Sequence, residues 1–208
     1  MSTMSEVGNP LCNINLACSL LNSSNLDEEQ SECLQIIMRG SERINDLITD
    51  ILRFEGINSA KYELYSLRQL LEGVLTATKD RISLNQVEVS REYAATDDII
   101  SMDIEKMEIA LINIITNAID AMPPKRGKLN VVTRSVGKLS LVEIQDNGIG
   151  ISKENLNRLF EPYLTNKTGG MGVGLSATLN ILRANHARIE VRSEEGIGTI
   201  FILSFVRN

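Results

Sequence analysis

Three groups of residues in this chain have the types and the order that a nucleotide pocket needs. Asp146-Asn147-Gly148-Ile149-Gly150 sets a carboxylate at the mouth of a glycine turn. A carboxylate there can accept a hydrogen bond from the exocyclic amine of adenine, and Gly148 and Gly150 let the backbone pass close beneath a base. Further on, Gly170, Gly172 and Gly174 lead into a helix whose first N–H groups and dipole face phosphate oxygens. Lys167, just upstream, adds a cation able to follow the terminal phosphates. Asn113 and Asn117 stand one helical turn apart and so share a face. Their neutral oxygens suit Mg²⁺, which takes few protein ligands because phosphate oxygens and water complete its octahedron. Taken singly, each has a plainer reading: Asp146 as the solvated Asp of a tight turn, an Asn bonded to a nearby strand, Lys167 as a solvated loop charge. Their occurrence together, in this order, favours the pocket.

The elements that must position these residues follow from periodicity. Ser66-x-x-Gln69 predicts a capped helix running to about Ile82. Strands are expected over Val87 to Arg91 and Ile99 to Met102, with Asp103 capping the helix that carries the asparagines. Leu129 to Val136 and Leu139 to Gln145 alternate as a hairpin joined at Gly137-Lys138; Val173 to Ala184 returns to helix; Ile189 to Arg192 and Thr199 to Phe205 close as strands. Phe160-Glu161-Pro162-Tyr163 opens a long glycine-rich stretch that suits a lid over a ligand. The expected fold is α+β, with helices on one face of a mostly antiparallel sheet.

The N-terminal part reads differently. Apolar residues at Val7, Leu11, Ile14, Cys18 and Leu21 alternate spacings of four and three, the seam of a coiled-coil-like helix. A second helix opens near Asn25, with Glu28 completing a capping box, and carries Leu34, Ile37, Ile44, Leu47, Ile48, Ile51 and Leu52. A lone hairpin cannot cover two such stripes, so a homodimer forming a four-helix bundle is expected. The polar stretch Gly56 to Ala60 marks the change of period, dividing the chain into 1–58 and 59–208.

Composition narrows the class. The chain has 208 residues, 43% hydrophobic and 23% charged, as in ordinary globular proteins. Its net charge of −6 argues against nucleic acid as a partner. Cys12, Cys18 and Cys33 form no Cys-x-x-Cys pair, and the single histidine, His186, is distant from them, so a zinc site is not indicated. No apolar run approaches the roughly 20 residues of a membrane span, and no signal peptide is evident, so a cytoplasmic location without membrane contact is expected of this chain.

Asn113 to Ala121, Asp146 to Ile151, Phe160 to Lys167, Gly170 to Leu175, and Gly196-Ile197-Gly198-Thr199 resemble the N, G1, F, G2 and G3 boxes of bacterial sensor histidine kinases. That family lies within the superfamily shared with gyrase, Hsp90 and MutL. Asn117-Ala118-Ile119-Asp120-Ala121-Met122 and Phe160-Glu161-Pro162-Tyr163 look most like the nitrogen-regulation type. The resemblance implies a dimerisation and phosphotransfer hairpin followed by an ATP-binding α/β two-layer sandwich. It implies ATP and Mg²⁺ as ligands, with Leu175 and Thr199 joining the binding residues, and a response regulator receiver domain as partner. The hydrolytic cousins carry glutamate where this chain has Asn113, so kinase chemistry is favoured over rapid ATP hydrolysis.

The family's phosphoacceptor motif has the form His-Glu-x-x-Asn-Pro-Leu, whereas this chain reads Ser5-Glu6-Val7-Gly8-Asn9-Pro10-Leu11. Ser5 occupies the acceptor position; Glu6 matches the general base and Asn9 the residue that positions water in dephosphorylation. A serine hydroxyl is a poor nucleophile unless a base takes its proton, so autophosphorylation is expected to be lost or very weak. A natural pseudokinase and a histidine replaced by design both account for Ser5. A nucleotide-responsive dimeric scaffold and a response-regulator phosphatase are the alternative functions.

Overall fold

The structure is a computed structural model that describes residues 30, 34–37, 40, 61–96, 98–161 and 174–207. The chain divides into two compact units, Met1–Ser59 with Asn166–Met171, and Ala60–Thr165 with Gly172–Asn208. In the first, residues 34–37 are helical; Leu34 is buried, while Ile36 and Ile37 are exposed. The remainder of the two expected N-terminal helices, with its seam residues, lies outside the described residues.

The second unit runs β1 (Tyr62–Ser66), α1 (Leu67–Ala77), α2 (Lys79–Leu84), β2 (Glu88–Glu92), β3 (Ile99–Asp103) and α3 (Ile104–Ala121). It continues with β4 (Lys128–Val136), β5 (Leu139–Asp146), α4 (Lys153–Asn157), α5 (Gly174–Ala184), β6 (Arg188–Glu194) and β7 (Gly198–Val206). Five strands form one sheet in the order β2-β4-β5-β7-β6, antiparallel except for the β2–β4 pair. β1 and β3 pair separately and antiparallel. One face of the large sheet is apolar because the strand period is two. Cross-strand rows Val131–Ile144–Phe201 and Val142–Leu203 point to the same side, where Leu70, Leu71 and Val74 of α1 and Met107, Leu111, Ile114 and Ile115 of α3 are buried against them. The chain is thus an α/β two-layer sandwich in this unit.

Caps form where the sequence supplies them. Ser66 accepts from the Gln69 N–H at 2.9 Å and Asp103 from the Lys106 N–H at 3.2 Å. The expected single helix over 66–82 is instead α1 and α2, broken at Thr78. The buried Thr78 hydroxyl donates back to the Val74 carbonyl at 2.9 Å and sits 3.4 Å from that of Leu75. A β-branched residue bonding back this way distorts the turn. β1 and α4 are additions to the expected element set, because β1 exists only through its pairing with β3 across an intervening helix pair.

Near the chain's end, Asp98 accepts from the Ser135 hydroxyl at 2.8 Å and ion-pairs with Arg207 at 3.3 Å. Burial alone would push its carboxyl up, but the Ser140 and Ser135 hydroxyls and the Arg207 guanidinium outweigh burial and hold it below the usual 3.8. Among the described residues the Ser135 bond has good geometry, whereas the buried Ser140 hydroxyl makes no bond of comparable geometry. A depressed folded pKa means stability that is present above 3.8 and lost as pH falls through the folded value. Asp98→Ala is therefore expected to lower unfolding free energy at neutral pH by about 1.5 to 3 kcal/mol. Urea unfolding at pH 7 and at pH 3 should show the penalty shrinking at the acidic end.

Candidate functional site

Asp146 is the last residue of β5 and points to the helix side, in step with Val142 and Ile144. It is 5% exposed. Gly148 N donates to its Oδ1 at 2.7 Å, and the Thr199 backbone, opposite it on β7, is a second donor. Burial pushes the Asp146 carboxyl up, by more than these two N–H groups lower it. No basic side chain among the described residues forms an ion pair with it. The result is a desolvated carboxylate that still has acceptor capacity.

The turn after Asp146 is tied down from three sides. Asn147 donates from Nδ2 to the Arg126 carbonyl at 2.9 Å and accepts the Lys128 N–H at 2.7 Å. Ile149 N bonds the Ala121 carbonyl at 2.9 Å, fixing the turn to the last residue of α3. Ser193 of β6 accepts from Ile151 N at 2.8 Å and lies 2.9 Å from the Thr199 hydroxyl. The protein's own backbone already demands the two glycines. A Cβ on Gly148 would stand 2.7 Å from the Ala121 carbonyl oxygen, and one on Gly150, whose φ is +68°, would stand 2.1 Å from that of Glu194. Gly150→Ala is expected to cost about 2 to 5 kcal/mol, the sum of a left-handed backbone penalty and overpacking. Chemical denaturation of the variant checks it, and an unchanged midpoint would refute the assigned turn.

The asparagines lie on α3, which leads from Asn113 through Asn117 to Ala121 at the Asp146 turn. Asn117 Nδ2 is 3.5 Å from Asn113 Oδ1, and Asn113 Nδ2 donates to the Thr178 hydroxyl of α5 at 2.8 Å. Gly174 opens α5 directly against them, since a Cβ there would lie 2.7 Å from Asn113 Oδ1. Leu175 packs on the edge of the core, and Thr199 is buried. Two clusters thus form at the two ends of one helix stretch: Asp146, Gly148, Gly150 and Thr199, and Asn113, Asn117 and Gly174. Ser5, Glu6, Asn9, Lys167, Gly170 and Gly172 lie outside the described residues.

Among the described residues no three His, Cys, Asp or Glu side chains come together to hold a metal. The donor set at Asn113 and Asn117 is neutral amide oxygen, which fits a Mg²⁺ ion whose charge is balanced by the phosphates of its nucleotide. A separate groove of about 440 Å³ is lined by Tyr62, Ser101, Asn185 and His186 among others and contains none of these residues. Sequence reading overlooked Thr178, Ser193 and Asn147. Ser193 could have been found from the β6 alternation that faces it toward Thr199; the partners of Thr178 and Asn147 are set by tertiary packing and carry no local signal.

Comparison with known proteins places the chain in a family. The family described as Histidine kinase-, DNA gyrase B-, and HSP90-like ATPase matches residues 102–208. The His Kinase A (phospho-acceptor) domain matches residues 5–60. Sporulation kinase D of Bacillus subtilis is 29% identical over 95% of this chain and 39% of its own length. The sensory histidine kinase/phosphatase NtrB of Vibrio alginolyticus is 30% identical over 95% of this chain and 59% of its own. The chain therefore spans between about a quarter and three fifths of the length of curated relatives that it matches. The crystal structure of histidine kinase ThkA in complex with the response regulator protein TrrA superposes with a TM-score of 0.71 at 20% identity, covering 99% of this chain and 61% of that one. With a family match over more than half its length, fused behind a phospho-acceptor domain match, the chain belongs to the histidine kinase-, gyrase- and HSP90-like ATPase family, as a bacterial sensor histidine kinase core.

Proposed function

We propose that the chain is the ATP-binding and phosphotransfer core of a two-component kinase in which Ser5, at the acceptor position, leaves autophosphorylation lost or very weak. The observation that carries the ATP part is Asp146, a buried carboxylate with no basic partner among the described residues, on a turn whose Ile149 N–H bonds the Ala121 carbonyl, one helical turn beyond Asn117 and two beyond Asn113. In this reading Asp146 accepts from the adenine amine, with Thr199 and the Gly148 and Gly150 turn beneath the base. Asn113 and Asn117 hold the Mg²⁺ end, Gly174 and Leu175 begin the helix that faces the phosphates, with Gly170 and Gly172 before it in the sequence as further phosphate-binding residues, and Lys167 follows the terminal phosphate. Mg²⁺, when bound, neutralises charge on the phosphates as the γ-phosphoryl group leaves ADP. Glu6 would take a proton from the acceptor and Asn9 would position water.

Residues 1–58 form the dimerising hairpin and 59–208 the ATP-binding domain. The exposed apolar pair Ile36 and Ile37 supports a second copy as the hairpin's partner. A receiver domain is the proposed phosphate partner, in line with the response regulator bound to ThkA. Ser5 equally favours a second reading, in which the dimer removes phosphate from a receiver domain or only signals its nucleotide state. Light scattering and calorimetry test the proposal together. A dimer that binds Mg²⁺-ATP and discriminates against Mg²⁺-GTP is expected; a monomer at high micromolar concentration removes the hairpin assignment, and equal affinity for both nucleotides removes the pocket.

A further inference from the structure

We propose that Thr178, a residue outside the glycine and asparagine blocks, is a positioning residue that sets the direction of the Asn113 amide oxygen. The proposal rests on the reading of Asn113 and Asn117 as the metal end of the pocket.

The argument is one of hydrogen-bond polarity. Thr178 is 1% exposed, and its hydroxyl has a single proton to give. That proton goes to the Gly174 carbonyl at 3.0 Å, one turn earlier on α5. A backbone carbonyl can only accept, so this end of the chain of bonds cannot reverse. Thr178 Oγ1 is then left to accept, and it does so from Asn113 Nδ2 at 2.8 Å. Asn113 must therefore present its NH₂ to Thr178 and its oxygen on the other side of the amide. That oxygen faces Asn117 Nδ2 at 3.5 Å. Asn117 thus meets the Asn113 amide on its oxygen side.

Four groups thus form one polarised run from Asn117 through Asn113 and Thr178 to the Gly174 carbonyl. An amide is otherwise free to present either atom, since its oxygen and nitrogen ends have nearly the same shape. A cation requires the oxygen. The bare Gly174 Cα is part of the same device, because any Cβ there would lie 2.7 Å from Asn113 Oδ1 and push the amide out of line. The run also links the first turn of α5, where the glycine stretch ends, to the asparagine helix. A valine at 178 keeps the shape of the side chain and deletes both bonds, leaving Asn113 able to rotate.

The test compares ATP affinity of the full chain with Mg²⁺ and with EDTA, alongside adenosine, by calorimetry. In Thr178→Val the tightening that Mg²⁺ gives to ATP is expected to shrink about tenfold, the usual consequence of leaving one buried donor unsatisfied. Adenosine affinity should stay within about twofold, because Thr178 and Asp146 bond different groups, and Thr178→Ser should restore the Mg²⁺ response. Adding Thr178→Val to Asn113→Ala should cost nothing further if Thr178 acts through Asn113. An undiminished Mg²⁺ response in Thr178→Val, or equal losses for adenosine and Mg²⁺-ATP, overturns the proposal. A wild-type chain that binds adenosine but whose ATP affinity ignores Mg²⁺ removes instead the metal reading beneath it. Should Thr178→Val not fold, the wild-type side-chain amide resonances decide: a rigid, slowly exchanging Asn113 NH₂ supports the proposal, and a freely rotating one overturns it.

Discussion

Ser5→His is expected to turn a chain that takes up no acid-labile phosphate into one that does so when ATP and Mg²⁺ are supplied. The expected gain is at least about 100-fold in label, the lower end of what a well-placed acid–base group contributes, because a neutral imidazole nitrogen attacks phosphorus without first losing a proton. The attacking nitrogen forms the P–N bond as the bond from the γ-phosphorus to the bridging oxygen breaks and ADP leaves. Stability of the label to acid separates the products, since a P–N bond hydrolyses in acid and a serine phosphate ester survives. In the proposed reading the sequence supplies the other groups: Glu6 beside the acceptor, Asn117 and Lys167 for the phosphates, and Gly170, Gly172 and Gly174 leading to the helix. A variant that binds ATP and dimerises yet stays unlabelled would favour the nucleotide-responsive scaffold.

Asp146→Asn should weaken ATP binding by about 10- to 100-fold while leaving the free protein at least as stable as wild type. The two effects have one cause. Asparagine keeps an oxygen for the Gly148 N–H and carries no buried charge. Because burial raises the folded pKa of Asp146 above 3.8, its contribution to stability is fully present below 3.8 and is lost as pH rises through the folded value. The stability advantage of the asparagine variant should therefore be seen at neutral pH and vanish in acid, the opposite of the trend at Asp98. Bound ATP supplies the amine donor that the carboxylate lacks, so ATP should raise the melting temperature of wild type far more than that of the variant. Equal ATP affinity in the two proteins would end the adenine assignment.

The physical origin of this trade is a general one. A carboxylate buried without a cation is a cost to folding that a ligand can offset, and sites that recognise amines hold such groups ready. Thr178 and Ser193 show the complementary device. Each spends its single hydroxyl proton on a backbone carbonyl, of Gly174 and Gly198 respectively, and thereby fixes which way its other neighbour must face.

Part of the candidate site is legible in residue order alone. Type and spacing put forward Asp146, the two asparagines and Gly174 as candidates, since helix and strand periods determine which residues share a face whatever surrounds them. The caps at Ser66 and Asp103 were legible for the same reason, because a side-chain oxygen three residues before an N–H is a local arrangement. The hairpin turn at Gly137, with φ of +58°, belongs with them. Tertiary structure alone decided the rest. The break at Thr78 came from a hydroxyl that competes with the helix for its own carbonyls, and β1 from a partner strand more than thirty residues away. The reason for Gly148 and Gly150 also changed in emphasis: their missing side chains make room for the carbonyls of Ala121 and Glu194, in segments that only folding brings near. Burial of Asp146, which raises its proton affinity, depends on strands and helices from the whole unit, and no local pattern encodes how much water a side chain keeps.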